Sequence, residues 1–503
     1  MRPIQWTLAG LLAITAPLPG QSERPNIVIV FADDMGFGDP QVYNSRSRIP
    51  TPHIDALAMR GIRFTDAHTA SSVCTPSRYG LLTGRYPWRS RLPTGIVNSW
   101  GGPVISAERL TLGKMLQAGG YRTACFGKWH LGWDWPLKEG GYLSSELDGV
   151  NVGRDYEPFG RRIDFSKPIR EGPITRGFDR YFGDDVPNFP PYAFIEDDRM
   201  LGNPTERMPV HKSQRGGPML PGWDLWAAQP TITAHALEWL QERTADPSTP
   251  FFLYMPLLGP HTPIVPNAQS RGKSDAGPYG DWVHQMDSIL GAVVEILERT
   301  EAIRNTVVIF SSDNGSPARS GIGTVGATRT VTELYSHVPN APWRGLKADA
   351  WEAGHRVPLI FRWDGQVRAG QVSERTVCLT DVFATVAEIL GVPLPKEAGE
   401  DSFSLGPLLF QQGEYARDQV VHHSHRGVFA IRQGPWKLIL GTGSGGFSAP
   451  TGRALSPSED EAMQLYLLSE DPHERRNLSS ARPEVKRRLL AELARLQAEG
   501  RSR

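Results

Sequence analysis

Cysteine is scarce in this chain. Only Cys74, Cys125 and Cys378 occur in 503 residues, which excludes a disulfide scaffold. Cys125 and Cys378 sit in apolar runs and read as buried thiols, with a disulfide between them as the alternative in an oxidising compartment. Net charge is also missing. Lys+Arg and Asp+Glu both total 54, so no global basic field exists to hold a nucleic acid, and any anion site must come from local clustering. No apolar run is long enough to span a membrane. The nearest, Leu8 to Leu18, follows Arg2 and reads with it as a secretory signal peptide over residues 1–22. A secreted or periplasmic protein is therefore expected. No internal repeat is present, which removes the usual architecture of a structural surface protein.

What the chain does contain is a set of buried-strand signals. Asn26 to Phe31, Phe251 to Met255, Thr306 to Phe310 and Val357 to Phe361 are continuous apolar runs. Helices are expected after Thr51, Pro52; from Trp282 to Arg299; and from Asp381 to Leu390. Alternating strands and helices predict an α/β fold with a mostly parallel sheet covered on both faces. After about residue 415 short strands and a charged helix over 482–498 predict a smaller α+β subdomain. The expected division is a signal peptide at 1–22, a catalytic domain at 23–415 and a C-terminal subdomain at 416–503. Residues 135–225, rich in Gly, Pro and Trp, read as long ordered loops forming the substrate surface.

Ligands of such sheets bind beyond the carboxyl ends of the strands. Asp33-Asp34 and Asp313-Asn314 follow two of the apolar runs there. They offer oxygen alone, which favours calcium or magnesium over zinc. Cys74-Thr75-Pro76-Ser77-Arg78 packs a thiol, a proline, a hydroxyl and an arginine into five residues. Proline suits the first turn of a helix, which would set Cys74 at a helix N-terminus, where negative charge is favoured. A thiol there is expected to be a low-pKa nucleophile, with a buried structural cysteine as the plain alternative. Gly127-Lys128-Trp129-His130-Leu131-Gly132 puts Lys128 and His130 two apart, on one side of an extended segment. His261 follows a buried strand in Pro260-His261-Thr262-Pro263, and Lys347 lies in Arg344-Gly345-Leu346-Lys347, ahead of Trp351 to Pro358.

C-x-P-S-R followed by Leu82-Thr83-Gly84-Arg85 resembles the signature of the formylglycine-dependent type I sulfatases. The G-K-W-H-L-G, histidine-loop and R-G-x-K segments follow in family order, and the likeness spans about residues 24–480. One departure is Ala353, where the family usually has glycine. The resemblance implies an alkaline-phosphatase-like fold and a sulfuric ester hydrolase. It implies that Cys74 is oxidised to formylglycine (3-oxoalanine) by a formylglycine-generating enzyme or an anaerobic maturase. It also implies one calcium ion held by Asp33, Asp34, Asp313, Asn314 and the modified Cys74.

The roles implied are specific. Lys128, Lys347 and the ion hold the sulfate oxygens, His261 protonates the leaving oxygen, and Arg78 holds the formylglycine. One hydroxyl of the hydrated aldehyde attacks sulfur, giving a covalent sulfoenzyme. His130 then deprotonates the other, and sulfate is expelled. Gly172 to Asp179 and Pro190 to Arg199 resemble bacterial relatives of arylsulfatase A and the N-acetylgalactosamine-6-sulfatases. A carbohydrate sulfatase is thereby implied, acting on 6-O-sulfated galactose or N-acetylgalactosamine, with Asp197, Arg199, His422 and His423 as sugar contacts. Two other readings stay open: a phosphomonoester or phosphonate ester hydrolase on the same fold, and a non-catalytic calcium-dependent glycan-binding protein.

Overall fold

The structure, a computed structural model, describes residues 24–147, 149–152, 156–210, 214–322 and 325–503. The expected signal peptide at 1–22 lies outside the described residues. The apolar runs become strands of one sheet: β1 (Asn26–Asp33), β2 (Ile62–Phe64), β3 (Arg122–Phe126), β4 (Arg180–Gly183), β5 (Ile195–Glu196), β6 (Arg199–Met200), β7 (Phe251–Pro260), β8 (Thr306–Ser312), β9 (Leu359–Arg362) and β10 (Gln371–Ser373). Their order across the ten-stranded sheet is β10-β2-β9-β8-β1-β7-β3-β4-β5-β6. The run from β8 through β1, β7 and β3 to β4 is parallel. β9, β5 and β6 add antiparallel flanks.

Alternation along β1 shows why its run is apolar throughout. Ile27, Ile29 and Phe31 pack into one core, and Val28, Val30 and Ala32 into another on the opposite face. A strand buried on both faces needs apolar side chains at every position. Helices cover both sides. On the Val28 face lie Ile54 and Leu57 of α1 (Pro52–Arg60). Residues of α3 (Leu225–Ala245) and α4 (Gly277–Arg299) join them there. On the Ile27 face lie Leu81 and Leu82 of α2 (Cys74–Thr83) and Val382 and Phe383 of α5 (Asp381–Ile389). The α/β class and the mostly parallel sheet are as the sequence predicts.

The C-terminal part is a four-stranded antiparallel sheet, β11 (Gln419–His423), β12 (Phe429–Gln433), β13 (Trp436–Ile439) and β14 (Gln464–Leu467), in that order. α6 (Pro483–Glu499) packs on it through Leu489, Leu493 and Leu496. This sheet braces the chain just before α2. The backbone N–H of Ser72 donates to His423 O at 3.2 Å, and Ser71 bridges to His423. All three cysteines are free and buried, so Cys125 and Cys378 form no disulfide.

Candidate active site

The parallel strands end together, and their ends deliver the acids. Asp33 closes β1, and Asp313 follows the neighbouring β8. Asp34 leaves the strand with φ 71°. That turn lets its N–H donate to Asp313 Oδ1 at 3.1 Å, while Asn314 Nδ2 donates to Asp34 Oδ1 at 2.7 Å. Asp33, Asp313 and Asn314 are fully buried.

The cations come from three other segments. Arg78, one turn into α2, donates to Asp313 Oδ2 through Nη2 at 2.8 Å and Nε at 3.0 Å. Its Nη1 donates to Lys128 O at 3.0 Å. Lys128 Nζ pairs with Asp33 Oδ2 at 2.7 Å. Gly127 makes that approach possible: it has φ 134°, and a Cβ there would lie 1.8 Å from Pro256 O. Lys347 Nζ pairs with Asp34 and lies 3.1 Å from Cys74 Sγ. Burial works against the Lys347 ammonium, but Asp34, Cys74, Asp33 and Asp313 outweigh it and hold its pKa above the ordinary value.

Cys74 opens α2 after an extended Val73 that makes no side-chain cap. The helix N-terminus is as expected, but the low thiol pKa is not. Burial pushes the Cys74 thiol up to about 12, against the pull of Lys128 and Lys347. Desolvation, with Asp313 and Asp33, outweighs the two ammonium groups here, so the unmodified thiol is a poor nucleophile.

Two histidines face this centre. His130, at φ 52°, turns its Nε2 to Val97 O at 3.0 Å. A carbonyl only accepts, so Nε2 carries the proton and the Nδ1 lone pair is left free; Nδ1 is buried without a partner. His261 donates from Nδ1 to Thr262 O, and its Nε2 stands 3.8 Å from Asp34 Oδ2. Burial holds both histidines well below the ordinary range.

The residues fit a cation. Asp33, Asp34, Cys74 and His261 each present a donor atom, all within 4.8 Å of one another. Asp33 Oδ1 and Asn314 Oδ1 are buried without hydrogen-bond partners. Burial and the neighbouring Asp33 push Asp313 up, a strain that a positive ion relieves. His261 joins the oxygen donors, which the sequence alone did not bring near them.

A cavity of about 540 Å³ opens over this cluster, and Asp34, Cys74, His130, His261 and Lys347 line it. Lys128 and Arg78 are fully buried and do not line the cavity, whereas His130 does, and the positive φ of His130 departs from the extended segment that would set it beside Lys128. The four expected sugar contacts do not reach the cavity. Asp197 and Arg199 sit at the far sheet edge, where Asp197 accepts from Tyr181 N at 2.9 Å and pairs with Arg180 at 3.3 Å. His422 is fully buried against His355, ring centroids 3.4 Å apart. His423 contributes its backbone to the brace before Cys74. The walls instead hold Asn98, Asn151, Asn188, Phe189, Arg215 and Arg319. Four of these six, Asn151, Asn188, Phe189 and Arg215, fall within the loop-rich stretch 135–225, whose composition signals a surface without singling out residues.

Residues 25–392 match the protein family described as Sulfatase. The chain is 31% identical to an N-acetylgalactosamine-6-O-sulfatase of Bacteroides thetaiotaomicron, over 93% of this chain and 92% of that one. It is 31% identical to human arylsulfatase A, over 94% of this chain and 88% of that one. A solved Bacteroides thetaiotaomicron structure, described within the metabolism of multiple glycosaminoglycans, aligns with a TM-score of 0.79 at 29% identity, covering 95% of this chain and 100% of that one.

Proposed function

This chain belongs to the sulfatase family and is a sulfuric ester hydrolase; from that premise we propose that it removes sulfate from a sulfated carbohydrate, 6-O-sulfated galactose or N-acetylgalactosamine, using a formylglycine made from Cys74. The observation that carries the proposal is the position of Cys74, at the cavity floor, 3.1 Å from Lys347 Nζ and beside the acidic cluster. The sugar assignment is supported by the relative named for N-acetylgalactosamine-6-O-sulfate chemistry.

Formylglycine at position 74, once hydrated, supplies two hydroxyls on one carbon, one to attack sulfur and one whose deprotonation lets sulfate leave. The side chains around it have distinct tasks. Lys347 offers its ammonium to a sulfate oxygen, where charge grows as sulfur is attacked. Lys128 adds positive charge from below, through its pair with Asp33. Arg78 acts as a positioning residue: it locks Asp313 and the Lys128 carbonyl rather than reaching the cavity. His130 has a free Nδ1 lone pair and serves as the base for the second hydroxyl. His261, when its ring is charged beside Asp34 at 3.8 Å, donates from Nε2 to the leaving oxygen from the cavity wall. Asp33, Asp34, Asp313, Asn314 and position 74 would hold one calcium ion, whose charge stabilises sulfate oxygens as a Lewis acid.

Cys74 is 2% exposed, so a converting enzyme has to reach it before the fold closes. Conversion ahead of export through the segment 1–22, to the periplasm or beyond, fits that order. The working division remains a catalytic domain at 23–415 and a C-terminal subdomain at 416–503. Sulfate release should be measured on the 6-sulfates of galactose and N-acetylgalactosamine beside an aryl sulfate. Hydrolysis of at least one sugar sulfate is expected; cleavage of the aryl sulfate alone would reject the carbohydrate assignment.

A further inference from the structure

We propose that the guanidinium of Arg215 binds a second anion of the substrate, a carboxylate or a sulfate other than the one hydrolysed. This rests on the sulfated-sugar reading above and narrows it to sugars carrying at least two negative charges.

The charge on the cavity walls is lopsided. Among the described lining residues Asp34 is the one carboxylate, and it is paired with Lys347. Arg215 and Arg319 are the remaining fixed charges. Arg319 is exposed at the rim, with its guanidinium 5.9 Å from the Phe447 ring. Arg215 is half-buried and set into the wall.

Arg215 is also held in place by neutral groups. Its Nη2 donates to Asn98 Oδ1 at 2.9 Å and its Nη1 reaches Ser99 Oγ at 3.5 Å. The guanidinium lies 3.7 Å from the Phe189 ring centroid and 5.4 Å from that of Tyr156. Its backbone N–H donates to Asn188 O at 3.0 Å, and its carbonyl accepts from Tyr192. Asn98 is fixed in turn, because its N–H donates to Asn151 Oδ1 at 2.7 Å. No described carboxylate pairs with Arg215. An arginine remains charged at any working pH, and removing that charge from water without a counter-ion is costly. A preorganised fork with spare N–H donors suits a planar or tetrahedral oxyanion.

The position relates this subsite to the reaction. Phe189, stacked under Arg215, also meets the His130 ring edge-on, centroids 5.9 Å apart. One aromatic ring therefore separates the second anion from the proposed base. Beside it, Asn188 Oδ1 is buried without a partner and can take a sugar hydroxyl or amide N–H.

The test compares kcat/KM on three probes: N-acetylgalactosamine 6-sulfate, its 4,6-disulfate, and the 6-sulfated disaccharide bearing a uronic acid. The wild-type enzyme should prefer one or both dianionic probes, and the preferred one identifies the anion as sulfate or carboxylate. Arg215→Met should cut that preference about tenfold or more, the effect of losing a charge-assisted hydrogen bond. Arg215→Lys, which keeps the charge but not the fork, should cut it about threefold, and it carries the test should Arg215→Met fail to fold. Sulfate release from sugars without any dianion preference, or a preference that survives in a folded Arg215 variant, overturns the inference while leaving the carbohydrate reading intact. No release from any sugar overturns both.

Discussion

Lys347 Nζ lies 3.1 Å from Cys74 Sγ while its ammonium is also paired with Asp34. One cation thus links the nucleophile position to the acidic cluster at the end of β1. It is fixed before substrate arrives, which is the arrangement that lowers a barrier most when charge develops nearby.

Removing that cation should therefore act on turnover. Lys347→Met is expected to lower kcat/KM for an aryl sulfate by about a hundredfold or more. Lys347→Arg should restore little, because a planar fork does not occupy the place of a compact ammonium. Steady-state kinetics on both variants checks this, and near-wild-type turnover in Lys347→Met would refute it.

The acidic cluster should respond to metal. Chelation is expected to lower both activity and thermal midpoint, and calcium to restore both. At a hundredfold excess over its Kd, an ion bound only by the folded state adds about 2.7 kcal/mol. Asp313→Asn should weaken the calcium-dependent shift of the midpoint. An unfolding midpoint indifferent to chelator and calcium would argue against the site.

A buried histidine stack gives stability a pH dependence. His68, His355 and His422 are fully buried, and both His422 nitrogens lack partners. Burial holds all three below the ordinary range, with Lys437 further lowering His355 and His422. Glu352 opposes this for all three, and Asp66 does so for His68 while Arg432 lowers it. A lowered folded pKa means the unfolded chain takes up protons first. Stability is then complete above the ordinary histidine value of about 6.5 and falls as pH drops below it. Thermal unfolding from pH 7 down to 5 should show that decline, with a shallower slope in His422→Gln. Equal slopes would exclude His422 from the effect.

Lys437 offers a test of the seam between the two sheets. It is fully buried and spans Glu352 at 3.0 Å and Glu474 at 2.8 Å. Burial pushes the Glu474 carboxyl up to about 7, against the pull of Lys437. Lys437→Met leaves the buried Glu474 without its cation, while Glu352 keeps Arg356 at 3.0 Å and Arg432 at 3.5 Å, and should cost about 3–5 kcal/mol in denaturant unfolding. Adding Glu474→Gln should recover part of that loss. A loss below about 1 kcal/mol would contradict the network.

The central strands were legible because burial on both faces forces unbroken apolar runs, as in Asn26 to Phe31 and Thr306 to Phe310. The acids at their ends were legible for the same reason, since a parallel sheet collects its ligands there. α3 (Leu225–Ala245) was not. Its buried face is Ala228, Gln229, Ile232, Ala236 and Leu240, two of them alanines and one a glutamine, and Pro230 interrupts the pattern. Residues that reach the cavity from loops, such as Asn98 and Arg215, carry no periodic signal. The sugar contacts expected at His422 and His423 were misplaced because His422 is buried by stacking on His68 and His355, while His423 is held through its backbone to Ser71 and Ser72.

The most direct test relates sulfate release to the state of residue 74. Peptide mass spectrometry measures the converted fraction, as a loss of about 18 Da where an aldehyde replaces the thiol. Preparations with different converted fractions should show turnover proportional to that fraction, with none in Cys74→Ala despite a wild-type unfolding midpoint. Full activity in a preparation whose Cys74 is wholly unconverted would contradict the account.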